Sequence, residues 1–168
     1  MRFVVTGEYQ RNRLLKLIVA LFLIYIAGHT VTNALLYFAH MDLTYRSVVE
    51  YYLGSPEQFT EPKTYQGLLE VTHFHLFAMG ILLLTLTHLL LFLPMPPFWK
   101  GALIGIAFLS AASEEMAGWL IRFVSPSFAY LKIAAFLTLE VALTLLLLIG
   151  LVGLFRGQSR AYSSGGSR

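Results

Sequence analysis

Four long apolar runs, each interrupted at only a few points by a polar side chain, take up most of the chain: Leu14 to Ala39, Leu68 to Leu93, Gly101 to Phe123 and Ala129 to Phe155. A bilayer core about 30 Å thick is crossed by roughly 20 apolar residues of helix, so each run is long enough. None shows the strict alternation of a barrel strand, and a backbone in hydrocarbon has to close its own hydrogen bonds. The pattern predicts an all-α integral membrane four-helix bundle, one transmembrane domain over residues 1–168. Composition agrees: 57% of the residues are hydrophobic and 12% charged, where soluble domains carry charge on about a quarter of their positions.

Between the runs, the stretch from His40 to Gly67 mixes Tyr45, Tyr51, Tyr52, Phe59 and Tyr65 with Asp42, Glu50, Glu57 and Glu61. Its aromatics suit the headgroup layer, with a short helix over about Tyr45 to Leu53; a docking surface for a periplasmic partner is the alternative. Pro94-Met95-Pro96-Pro97 predicts a tight turn, because proline cannot continue a helix. Residues 163–168 read as a disordered tail of serine and glycine. Gly101 and Gly105 form a small-residue step that suits a close helix contact.

Lys and Arg divide unevenly across these runs. Arg2, Arg11, Arg13, Lys16, Lys100, Arg156, Arg160 and Arg168 fall on one side, and Arg46, Lys63, Arg122 and Lys132 on the other. The positive-inside bias then predicts a multi-pass protein of a bacterial inner membrane with both termini cytoplasmic. Topology accounts for the basic surplus of +3, so no nucleic-acid partner is implied. The first run has a basic flank but is too long for a signal-peptide core, and is expected to be a retained span. The absence of cysteine excludes disulfides, thiolate metal sites and covalent c-type haem attachment by this chain. Phosphate-binding glycine loops, nucleophile elbows and His-Glu-x-x-His zinc motifs are missing too.

The chemistry therefore rests on polar residues inside the spans, where ionisable groups are costly and normally face the bundle. At about 1.5 Å of rise per residue, His29, Asn33, Glu70, His73, His75, Glu114, Glu115 and Glu140 all fall near or outside the midplane on the side of the long loop. His40 lies at that surface, and only His88 belongs to the opposite half. Turning about 100° per residue, His29, Asn33 and His40 share a face, with Tyr25 beside it. Glu70, His73, Phe77, Gly80 and His88 share another, which is expected to face inward, while His75 points nearly the opposite way. Glu115 aligns with Ala111, Gly118 and Arg122. Taken singly, His40 is more simply a surface residue, whereas His88 is as readily a functional residue as a packing one.

Three readings follow. His29 with His73 or His75 can clamp a haem b, with Arg122, Ser125 and Tyr130 placed at the end where propionates would emerge. His75 matches His29 in depth; His73 has the expected inward face. The fifteen-residue step from His73 to His88 resembles that of diheme cytochromes b, but no second deep histidine completes an inner site, so one haem at most is expected. Alternatively, Glu70-x-x-His73 with Glu114, Glu115 and Glu140 can hold non-haem iron or copper, although di-iron bundles use two such pairs. In the third reading the same groups carry protons or steady helix contacts in a cofactor-free subunit of a larger assembly.

The run Glu70-Val71-Thr72-His73-Phe74-His75-Leu76-Phe77-Ala78-Met79-Gly80, with Arg122-Phe123-Val124-Ser125-Pro126-Ser127, resembles uncharacterised bacterial four-helix membrane proteins that accompany c-type cytochromes. The likeness covers roughly the last three spans and implies electron transfer. The leading expectation is a membrane subunit of a respiratory or photosynthetic assembly that binds haem b and links quinone to a periplasmic c-type cytochrome. Its expected partners are membrane lipid, other membrane subunits, that cytochrome and quinone.

Overall fold

The computed structural model describes residues 12–163, with side chains described as far as Phe155; the predicted tail lies outside this range except for Ser163. Four long helices, α1 (Arg13–His40), α3 (Tyr65–Leu91), α4 (Pro97–Phe123) and α5 (Ala129–Ser163), are joined by a shorter α2 (Tyr45–Leu53) and two single 3₁₀ turns, Pro56–Gln58 and Pro126–Phe128. All four long helices are apolar enough to cross a membrane. Extended pairing among the described residues is limited to one isolated bridge, Ser55 to Thr60.

Local chemistry sets the boundaries. The Asn12 side chain accepts from the amides of Leu14 and Leu15 at the start of α1, and Thr64 accepts from Gly67 at the start of α3, satisfying donors that a first turn leaves open. Thus α3 begins three residues before its apolar run. Pro97 opens α4 ahead of Gly101, since the fixed φ of proline suits the first helical position. After α2 the chain turns at Gly54, where φ is +80° and a Cβ would sit 2.5 Å from the Thr60 carbonyl oxygen; only glycine fits there.

Packing divides the bundle across its length. In the half holding the α3–α4 turn, called here the terminal half, Leu23, Leu83, Leu86, Leu90, Ala107, Leu143 and their neighbours form an aliphatic core. In the other, called the loop half, the core is Tyr37, Met41, Val48, Tyr52, Leu68, Ile121, Ala129 and Phe136. Helix α2 roofs the loop half: it packs on α4 and α5 with Val48 fully buried and Tyr52 nearly so. The phenol ring of Tyr52 lies where a Cβ on Gly118 would come within 2.8 Å of it. The aromatics expected at the headgroup layer are therefore divided, since Tyr52 turns into the bundle whereas Phe59 and Tyr65 stay exposed. Among the described residues Gly101 and Gly105 meet nothing within 4 Å, so their small face makes no helix contact there.

Helix α4 and α5 form the tightest pair, α3 packs on both, and α1 rests against α5. Close packing between α1 and α3 is missing. A gap is left between them, backed by α4 and α5 and covered by α2.

Candidate functional site

That gap contains a cavity of about 280 Å³. Its walls take Asn33, Leu36 and Tyr37 from α1, Tyr52 from α2, Thr72 and His75 from α3, Glu114, Glu115 and Gly118 from α4, and Lys132 and Phe136 from α5. The site lies in the loop half.

Four polar links cross between helices here, one of them from Trp119 Nε1 on α4 to Thr72 Oγ1 on α3 at 2.9 Å. Asn33 Nδ2 on α1 donates to Glu140 Oε1 on α5 at 2.6 Å. His75 Nδ1 on α3 stands 2.5 Å from Glu115 Oε1 on α4, a charge-assisted pair when the carboxylate is ionised. Lys132 Nζ on α5 donates to the Glu114 carboxylate and, at 3.1 Å, to the Glu114 carbonyl on α4.

The lysine runs against habit. Its Cα lies one turn into α5, where a lysine in a membrane helix would snorkel outward to water. Instead it is 7% exposed, reaches inward to Glu114, and passes within 5.8 Å of the Tyr52 ring. The Tyr52 hydroxyl shares in the same contact, and burial pushes its phenol above the ordinary range while Lys132 pulls the other way.

Beside these satisfied groups stand two that are not. The Tyr37 hydroxyl and His29 Nε2 are buried without a hydrogen-bond partner among the described residues. The Tyr37 ring is fixed by stacking on Phe136, with centroids 3.7 Å apart and planes at 10°. His29 and His75 are near enough to interact electrostatically across the gap.

The remaining candidates lie elsewhere. The face expected to point inward on α3 is turned outward: Glu70, His73, Phe77 and Gly80 are exposed, and Glu70 bonds only Gln66 on its own helix at 3.0 Å. His75 is the histidine that enters the bundle, in line with buried Leu68 and Leu83. The orientation of α3 is set by the aliphatic stripe Leu83, Leu86 and Leu90. Glu70 and His73, near the loop end of the helix, can reach the polar interface. Consequently Glu70 and His73 do not join Glu114, Glu115 and Glu140, and among the described residues no three His, Asp or Glu side chains stand together as metal ligands. Arg122 Nε donates to the Lys63 carbonyl at 2.8 Å, and Tyr130 packs on Tyr45 with centroids 5.1 Å apart; both hold the loop. His40 contacts the Tyr51 ring and His88 that of Phe92.

Lys132, Tyr37 and Tyr52 were not among the chemical candidates in the sequence. An available signal was a lysine one turn inside an apolar run, with a glutamate on the preceding span at a depth its side chain could reach.

The transmembrane helical domain family Aq_1264_TM matches residues 42–161. The chain belongs to that family. Neither the curated proteins nor the solved structures yield a match. Membership agrees with the four apolar helices and describes a membrane domain; it says nothing of cytochromes. The matched stretch takes in α2, α3, α4 and most of α5, and so includes His75, Glu114, Glu115, Lys132 and Glu140, while α1 precedes it.

Proposed function

We propose that this Aq_1264_TM member is a membrane subunit of an electron-transfer assembly that moves protons between the loop-side surface and a redox carrier near mid-membrane. The observation that carries this reading is that the acid and base pairs seen to link helices among the described residues, His75–Glu115 and Lys132–Glu114, lie in one half of the bundle. A channel would need polar groups linked through both halves, whereas the described core of the terminal half is aliphatic. A proton path that stops midway needs a donor or acceptor at its inner end, and a membrane-soluble redox carrier is one. With the loop side assigned to the periplasm by the distribution of Lys and Arg, the protein resides in a bacterial inner membrane and the protons exchange with the periplasm.

The test is infrared titration of the purified chain in nanodiscs. Carboxyl bands that change with pH and disappear in Glu115→Gln or Glu140→Gln support the reading. Carboxyl signals that stay unchanged across the accessible pH range overturn it.

A haem b held by His29 and His75 is the second reading, favoured by the unpartnered Nε2 of His29. Glu115 at His75 Nδ1 is the kind of outer partner that fixes the tautomer of an imidazole ligand and leaves Nε2 to the metal. The cavity as it stands is smaller than a macrocycle, and α1, which packs mainly on α5, would have to lie farther from α3. A reduced b-type band that survives His88→Ala and vanishes in both His29→Ala and His75→Ala selects this reading; a colourless preparation removes it.

A further inference from the structure

We propose that the cavity between α1 and α3 binds the headgroup of a lipid-soluble quinone or quinol, with Tyr37 and His75 as its polar contacts. The inference rests on the proton-moving reading, for which it names the carrier, and it draws on three features of the cavity.

The first is access. Leu36 on α1 and Val71 on α3 both line the cavity, and both are about half exposed on the outer surface of the bundle, at 54% and 51%. Because α1 and α3 are only weakly packed on each other, these two half-exposed residues put the mouth of the cavity on the lipid side. A ligand using this route must partition into the bilayer, and its tail can stay there.

The second is charge. Lys132 is matched by Glu114 and His75 by Glu115, so neither wall offers an uncompensated cation to a phosphate or carboxylate. Leaving water for this site would cost an anion its hydration without a free counter-charge in return. A neutral headgroup avoids that penalty.

The third is the pattern of free hydrogen-bonding groups. The Tyr37 hydroxyl is buried, unpartnered and on the cavity wall, which is costly unless something occupies the site. It can donate to a carbonyl or accept from a hydroxyl. His75, held at Nδ1 by Glu115, has its second ring nitrogen for the other oxygen of the same ring. The Tyr37–Phe136 stack supplies a flat wall. At about 280 Å³ the space sits at the lower edge of the roughly 300–1,000 Å³ usual for small-molecule pockets, suited to one small ring system. A neutral, flat ring with a polar oxygen at each end and an apolar tail satisfies all three features.

Trp119 provides a reporter, because its Nε1 donates to Thr72 Oγ1 at 2.9 Å and Thr72 lines the cavity. In a Trp99→Phe background it is the one tryptophan left. A short-chain benzoquinone and a short-chain naphthoquinone, each added to the purified full chain in nanodiscs, are expected to quench it saturably for at least one ring type. Tyr37→Phe should weaken that binding about tenfold, as loss of one buried hydrogen bond does. Leu36→Phe, which narrows the lateral opening without touching a polar group or adding a second tryptophan, should abolish it. Quenching that rises linearly with quinone and is identical in Tyr37→Phe and Leu36→Phe reports partitioning into lipid and overturns the site. If the infrared carboxyl bands still titrate in that case, the proton reading stands and only the ligand assignment falls. Saturable, Tyr37-dependent quenching with silent carboxyls keeps the site and removes the proton reading.

Discussion

The two halves of the bundle solve the same problem, polar side chains in a medium without water, in opposite ways. In the terminal half, Thr87 bonds the carbonyl of Leu83 at 2.6 Å and Ser110 that of Ala107 at 3.1 Å, each within its own helix. Packing of leucine and alanine holds the helices together there, with Lys100 Nζ donating to the Leu91 carbonyl at 2.7 Å beside the α3–α4 turn. In the loop half, Asn33, His75 and Lys132 each reach to another helix. Local satisfaction leaves helices free to repack, whereas satisfaction across helices fixes their register and makes each partner depend on the other. Between helices in lipid, where burial gains little from the hydrophobic effect, such links are the cheapest way to specify one arrangement.

Removing one end of the buried ion pair should separate the halves most sharply. Lys132→Met leaves Glu114 without its counter-charge and is expected to cost about 3–5 kcal/mol, read as unfolding in detergent by denaturant. The double variant Lys132→Met, Glu114→Leu should recover most of that loss; equal instability of the single and double variants would mean that the pair contributes through packing alone. A truncation in the terminal half is the counterpart. Leu143 is fully buried, and Leu143→Ala should cost about 2 kcal/mol, near the low end for such cavities, with no change in quinone quenching.

Smaller again is the Asn33–Glu140 link. Asn33→Leu should destabilise by about 0.6 kcal/mol, typical of interhelical hydrogen bonds in membranes, while loosening α1; a loss as large as that for Lys132→Met would contradict the ranking. The smallest effect concerns pH. The folded phenol of Tyr52 loses its proton at higher pH than the unfolded one, whose ordinary value is near 10. Its contribution is therefore intact below about pH 10 and is lost as pH rises from there through the folded value. Tyr52→Phe should flatten that part of the alkaline decline in unfolding midpoint, and an unchanged slope would assign the decline to other groups.

The spans were legible because membrane helices announce themselves by length and apolarity, and the short helix from Tyr45 to Leu53 was expected from the aromatics of the loop. Rotation of α3 was not. Leucine occurs on every face of that helix, so polar residues were the visible guide to its inward face; they put His73 there while depth favoured His75, and the sequence left the two unseparated. The direction is set by which leucines fit against α4 and α5, a property of three helices together. Glu114, Glu115, Glu140, His29 and Asn33 were recognised as belonging to one half, but their pairing was hidden: Lys132 looked like an interfacial cation, and only packing shows it turned inward.

The position of α1 has a consequence for how such a protein can diversify. The family match starts at residue 42, directly beyond this helix, yet α1 brings Leu36 and Tyr37 to the cavity. The Lys132–Glu114 and His75–Glu115 pairs belong wholly to the matched portion. Exchanging the first span alone would thus preserve the charged scaffold and rewrite the opposing wall, making recognition and scaffold separable parts of a single polypeptide.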